Sequence, residues 1–136
     1  MMQFMKTIKE LTKAEEEVMQ IIWKLKQGFA NDIVSALQDS VTDVKKPAYN
    51  TILTIVRILE KKGFVGHETF GKSNRYFPLI FKDEYSSYFL NSFVKNYFNN
   101  SYGSFISCFA NRENLSIKEI EELKSLLQKQ IEESEK

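Results

Sequence analysis

The stretch from Pro47 to Ile80 constrains this chain more than any other. It opens on a proline, which the first turn of a helix tolerates because its missing N–H has no intrahelical partner there anyway. The expected helix then runs to Lys62, with Ile52, Ile55, Val56 and Leu59 on one face and Gly63 as its stop. Two β-prone runs follow, FVGHETF and RYFPLI, around the turn segment GKSN, which is a hairpin signal. Pro78 cannot donate to a sheet ladder, so the second run lies at an edge or near its own end there. Five glycines and two prolines in 136 residues leave little room for the turns of an all-β fold, so the chain is expected to be mostly helical.

Upstream, Thr12 and Glu15 have capping-box spacing, in which each side chain bonds the other residue's backbone N–H. A helix is expected from there, with Val18, Ile21, Ile22 and Leu25 inward, Trp23 at the edge and Gly28 as its stop. Glu15, Glu16 and Glu17 suit a helix N-terminus, where the macrodipole favours acids. A short second helix is expected over 31–37 with Ile33 and Leu37 on one side, and 38–46 reads as loop.

At about 100° per residue, Asn50, Thr54, Arg57 and Lys61 form a stripe opposite the apolar face of the third helix, with no acid in it. Residues 45–76 hold seven basic residues (Lys45, Lys46, Arg57, Lys61, Lys62, Lys72, Arg75) against Glu60 and Glu68, whereas from residue 81 onward seven bases face nine acids. A basic part joined to a different one suggests a polyanion partner for the first. Three helices followed by a hairpin, with Lys72 at its tip and Arg75 beside it, is the order of a winged helix-turn-helix. In that arrangement the third helix enters the major groove and the wing lies over the neighbouring backbone.

The composition changes beyond Ile80. Residues 82–98 carry Tyr85, Tyr88, Phe89, Leu90, Phe93, Val94, Tyr97 and Phe98, more than one stripe can hold, so this helix has to be buried on more than one side. Tyr102, Phe105, Ile106 and Phe109 repeat at helical spacing, and Ser116 with Glu119 opens a last helix that turns Ile120, Leu123, Leu127 and Ile131 inward. These helices are too short to cover their aromatics alone, and a second copy of the chain is the economical cover. Phe89, Phe93, Phe105, Phe109, Leu123 and Leu127 are the candidate dimer core. The expected fold class is mainly α with a small β wing: a winged-helix domain over 1–80 and a helical dimerisation domain over 81–136.

Other chemistries find little support. One cysteine, Cys108, and one histidine, His67, are too few for a soft-ligand metal site, and no cofactor is implied. Cys108 is expected to be a buried small hydrophobe, and His67 on a hairpin strand is given no role. No carboxylate pair, phosphate loop or activated nucleophile points to an enzyme. No apolar run is long enough to span a membrane and the first residues lack a signal-peptide core, so the expected location is cytoplasmic. The competing class is a winged helix used as a protein-interaction module without DNA binding. The acid-free stripe argues against it, since a protein groove would more often mix signs.

The segments LTKAEEEVMQIIW, PAYNTILTIVRILEKKGFV, GKSNRYFPLI and LSIKEIEELKSLL, in this order over residues 11–127, resemble the BlaI/MecI/CopY (penicillinase repressor) family. The resemblance implies a homodimeric transcriptional repressor on a dyad-symmetric, double-stranded DNA operator. It places the recognition helix at 48–62, adds Thr51 to Asn50, Thr54 and Arg57 as DNA contacts, and puts Lys72 and Arg75 in the wing. Leu53 stands where well-known members have an arginine, and Arg57 falls one place earlier than their later arginine, so the operator does not carry over. The paired cysteines of copper-responsive members are missing. In members that answer β-lactams, a membrane receptor with metalloprotease activity triggers cleavage in the second C-terminal helix. The corresponding bond here is Cys108–Phe109, without those members' asparagine.

Overall fold

The computed structural model describes residues 8–40, 47–112 and 115–135. The elements are α1 (Lys13–Leu25), β1 (Gly28–Phe29), α2 (Ala30–Ser40), α3 (Tyr49–Lys61), β2 (Val65–Phe70), β3 (Ser73–Pro78), α4 (Lys82–Phe98), α5 (Tyr102–Arg112) and α6 (Ile117–Ser134). The chain is mainly α with a small sheet, as expected from its sequence. Among the described residues no helix is long and apolar enough to cross a membrane.

α1 starts as its capping box dictates: the Glu15 N–H donates to Thr12 Oγ1 and the Thr12 N–H to Glu15 Oε1. α2 runs past the expected end at Leu37 to Ser40, whose hydroxyl donates to the Leu37 carbonyl at 2.7 Å. The rest of the expected 38–46 loop, residues 41–46 with Lys45 and Lys46, lies outside the described residues. Pro47 stands just before the N-cap Ala48 instead of inside the first turn, and its carbonyl accepts a 3.0 Å bond from Gln38 Nε2 that ties the end of α2 to the start of α3.

The end of α3 shows why a glycine is needed there. The Phe64 N–H donates to the Leu59 carbonyl and the Gly63 N–H to that of Glu60, the two bonds of a Schellman cap. That cap holds Gly63 at φ +87°, a region where a side chain would be strained. Phe64 is then fully buried and its carbonyl accepts from the Leu79 N–H at 2.7 Å, so the cap hands the chain directly to the wing. Phe70 pairs with Ser73, which narrows the expected GKSN turn to Gly71–Lys72, with Gly71 at φ +64°. Glycine at the first central position is the pattern of a type II′ hairpin turn, whose twist matches that of the strands. Pro78, opposite Val65, is the last residue of β3.

Sheet order is β1-β3-β2, all antiparallel. β1 has no signature in the sequence, where Gly28 reads only as a helix stop. α1 instead ends on Lys26, and Gly28 and Phe29 pair with Tyr76 and Arg75. The Phe29 N–H donates to Asp32 Oδ2, so α2 begins immediately after the strand.

The core of the first unit joins Val18, Met19 and Ile22 of α1 and Ile33, Val34 and Leu37 of α2 to Ile52, Val56 and Leu59 of α3. Tyr85 of α4 belongs to this core: its ring meets Phe64 and Trp23, and its hydroxyl accepts from the Leu11 N–H at 3.0 Å. The chain accordingly divides into compact units between Phe89 and Leu90, later than the 80/81 boundary expected.

In the second unit Val94 is buried, and Phe93, Phe98 and Phe105 meet at centroid distances of 5.5–5.9 Å. α6 opens on the expected Ser116–Glu119 capping box. Cys108 is half-buried, not buried as expected, because α5 buries none of its residues within the single chain.

One contact crosses the first unit. Glu15 is 6% exposed, and Lys62 Nζ, at the end of α3, lies 2.6 Å from its Oε1. Burial pushes the Glu15 carboxyl up, but the Lys62 hydrogen bond and charge, with the Thr12 N–H, outweigh it and hold the group below the usual glutamate range. A depressed native pKa stabilises above the unfolded value, and that contribution is lost as pH falls through the native one. Urea unfolding of Glu15→Gln should therefore show lower stability than the parent at neutral pH and a shallower loss on acidification. Superimposable pH profiles would mean the pair contributes nothing.

Candidate nucleic-acid interface

The buried stripe of α3 decides what its other side presents. Ile52, Val56 and Leu59 are fully buried and Ile55 half-buried, which turns Asn50, Thr54, Arg57 and Lys61 to solvent along one line, with Thr51 and Ile58 exposed at its edge. The structure thus brings five of the seven expected contact residues onto one exposed surface of one helix. Leu53, half-buried, flanks the line on the other side.

The chemistry of that surface is donor-rich and cationic. The Thr54 hydroxyl donates back to the Asn50 carbonyl at 2.9 Å. With its proton engaged there, Thr54 offers an outside partner a methyl group and an acceptor lone pair. The Asn50 amide can both donate and accept, and the Arg57 guanidinium presents a planar fork of donors. The acid nearest the line is Glu60, whose carboxylate is engaged by His67 Nδ1 of β2. That gives His67, left without a role in the sequence, a place beside the helix. Among the described residues Lys62 pairs with Glu15, Arg75 with Glu68 and His67 Nδ1 with the Glu60 carboxylate, and none of these contacts uses Arg57, Lys61 or Lys72.

Tyr49 is not among the contacts expected from the sequence. It is exposed at the first turn of α3, beside Asn50. A large aromatic left in water at the head of a cationic stripe was signalled only by its offset from the Ile52–Val56–Leu59 face.

The wing splits its two basic residues into different roles. Lys72 occupies the turn tip and is exposed. Arg75 lies opposite Glu68 on one side and Phe29 on the other, in the middle strand. Its Nη2 donates to Glu68 Oε1 at 3.3 Å and its guanidinium carbon sits 4.6 Å from the Phe70 ring centroid, a cation–π contact. Phe70 in turn meets Phe29 edge-on at 6.0 Å. Arg75 therefore fastens all three strands, and its buried Nε has no hydrogen-bond partner among the described residues. No group of three or more His, Cys, Asp or Glu side chains suited to a metal is found among the described residues.

The penicillinase repressor family model matches residues 11–129. The chain is similar to the methicillin resistance regulatory protein MecI of Staphylococcus aureus (strain N315), with 32% identity over 120 residues, 88% of this chain and 94% of that protein. It is equally similar to a penicillinase repressor of Bacillus licheniformis, 32% identical over 124 residues, 91% of this chain and 94% of that one. Among solved structures, the DNA-binding domain of the repressor BlaI matches with a TM-score of 0.50 and 33% identity, over 60% of this chain and 94% of that one.

Removing Arg75 should loosen the wing. A cation–π contact and an exposed ion pair together contribute about 1 kcal/mol. Hydrogen exchange of the β2–β3 amides in Arg75→Ala should accelerate about fivefold, with Lys72→Ala unchanged as the control. Equal protection in both variants would show that Arg75 does not brace the sheet.

Proposed function

The chain belongs to the penicillinase repressor family, and we propose that it acts as a homodimeric transcriptional repressor that holds a dyad-symmetric DNA operator through α3 and the wing. The observation that carries this reading is the acid-free line Asn50–Thr54–Arg57–Lys61, exposed on a helix whose opposite face is locked into the core. An amide and a guanidinium on one helix face suit bidentate contacts to adenine and guanine edges in a groove wide enough for a helix. Lys72 at the wing tip suits a phosphate, and Arg75 carries positive charge to the same strand while bracing it. The likeness to the DNA-binding domain of BlaI supports the assignment of the first unit.

Dimerisation through the helices after Ile80 belongs to the same proposal. α6 is amphipathic, yet Ile120, Leu127 and Ile131 are exposed in the single chain and Leu123 is half-buried. Phe89 and Phe109 are also exposed, while Phe93 and Phe105 are half-buried around the aromatic cluster. A two-fold partner burying such surface would hold two winged helices at two half-sites, and linking them raises affinity beyond that of either alone. Induction triggered by a membrane receptor with metalloprotease activity, through cleavage at Cys108–Phe109, completes the reading. That bond lies inside α5, so cleavage needs the helix to open locally, and it would sever the stacked Phe105–Phe109 pair.

Arg57→Ala should cost about 1–3 kcal/mol in specific binding and relax the preference at one base pair. Equal loss on every duplex would make Arg57 a phosphate contact, and no loss on any would remove α3 from the groove. For the parent, contacts to about 6–10 phosphates imply a fall in affinity of about 10³–10⁵ between about 50 and 200 mM salt. Absence of duplex binding would favour a protein-interaction module instead.

A 1–108 fragment should sediment as a monomer and bind operator far more weakly than the full chain. A fragment that stays dimeric and binds as tightly would assign the C-terminal helices to another partner and rule out induction by cleavage at this position.

A further inference from the structure

A cleft of about 870 Å³ lies in the first unit, away from the α3 stripe, where the end of α1, the end of β3 and the start of α4 converge. Its walls are apolar, with Trp23, Phe77 and Phe81 foremost, and the exposed Lys24, Lys26 and Lys82 also line it, with no acidic residue in the lining among the described residues. A volume of this size is within the range of small-molecule sites, about 300–1,000 Å³. Phe81 is 57% exposed at its edge.

Two details give the cleft a fixed shape. Trp23 Nε1 donates to the Ile80 carbonyl at 2.9 Å, and the indole meets Tyr85 at 6.1 Å, so this wall is anchored on both sides. Lys26, at the C-cap of α1, adopts φ +71°, a strained conformation for a residue with a side chain. Strain of this kind persists where the surroundings over-determine it, and it concentrates at binding sites.

We propose that this cleft binds a single-chain amphiphile with an anionic head, its apolar body against Trp23, Phe77 and Phe81 and its carboxylate among Lys24, Lys26 and Lys82. An uncharged apolar occupant would displace water from the lysines of the lining and return nothing, whereas a carboxylate can pair with them. A polar anion alone would leave the aromatic walls wet. Only a ligand with both parts matches both surfaces.

Trp23 is the chain's one tryptophan and lines the cleft, so its fluorescence reports occupancy directly. Titrating the full chain with decanoate, below its micelle concentration, should give a saturable change with one ligand per chain by calorimetry. 1-Decanol should bind about tenfold more weakly. The triple variant Lys24→Ala, Lys26→Ala, Lys82→Ala should lose about tenfold for decanoate while its decanol affinity stays put, since three exposed charges together contribute on that scale. Circular dichroism of the triple variant confirms its fold, because all three lysines are on the surface. Equal affinity for decanoate and decanol, an unaltered triple variant, or no saturable change would each overturn the proposal. So would a Trp23 signal that follows protein concentration instead of decanoate, which would make the cleft an interface between copies.

Discussion

Burial of one face of α3 is the constraint on which the rest of the first unit depends. Ile52, Val56 and Leu59 are removed from water against α1 and α2, and full burial of an aliphatic side chain is worth about 1.5–3 kcal/mol each. Rotating α3 to bury any other face would put Asn50, Thr54 or Arg57 in the core without partners, at a cost larger than the burial gained. The helix azimuth is therefore set by its apolar stripe, and the outward direction of the polar line follows. The Lys62–Glu15 pair adds a second point of attachment at the end of α3, and the Pro47–Gln38 bond secures the beginning.

The wing depends on the same helix. The Schellman cap at Gly63 and the burial of Phe64 fix where β2 begins, and the two-residue turn at Gly71–Lys72 then fixes its register with β3. Register decides where the two basic residues of the wing lie. With this turn Arg75 faces Glu68 and stacks on Phe70, becoming a brace, and Lys72 alone occupies the tip. A helix locked by its core and a wing locked by its cap and register present a cationic surface that is organised before any partner arrives, which limits the entropy lost on binding.

Local signals were legible in the sequence and non-local ones were not. Both capping boxes, the α3 stripe and the hairpin follow from spacing and turn chemistry within a few residues. β1 did not: two residues have no periodicity, and Gly28–Phe29 is a strand only because β3 lies beside it. Glu15 looked like an ordinary N-terminal acid because its partner Lys62 is 47 positions away. The bracing role of Arg75 was hidden by the turn length, since a four-residue loop at GKSN would have placed Phe70, not Glu68, opposite it. In the second unit the excess of aromatics is legible, and it leaves Tyr97 and Phe109 exposed in the single chain.

If α3 and the wing of two copies read duplex DNA in two related half-sites, the sequences they select carry that symmetry. Selecting bound sequences from a pool of random duplexes with the full chain tests it most directly. Two α3 helices on one duplex should enrich an inverted repeat whose half-site centres lie about one helical turn, or a multiple of it, apart. Enrichment of a single unrepeated motif would contradict the dimeric arrangement, and recovery of no motif at all would contradict sequence reading by α3.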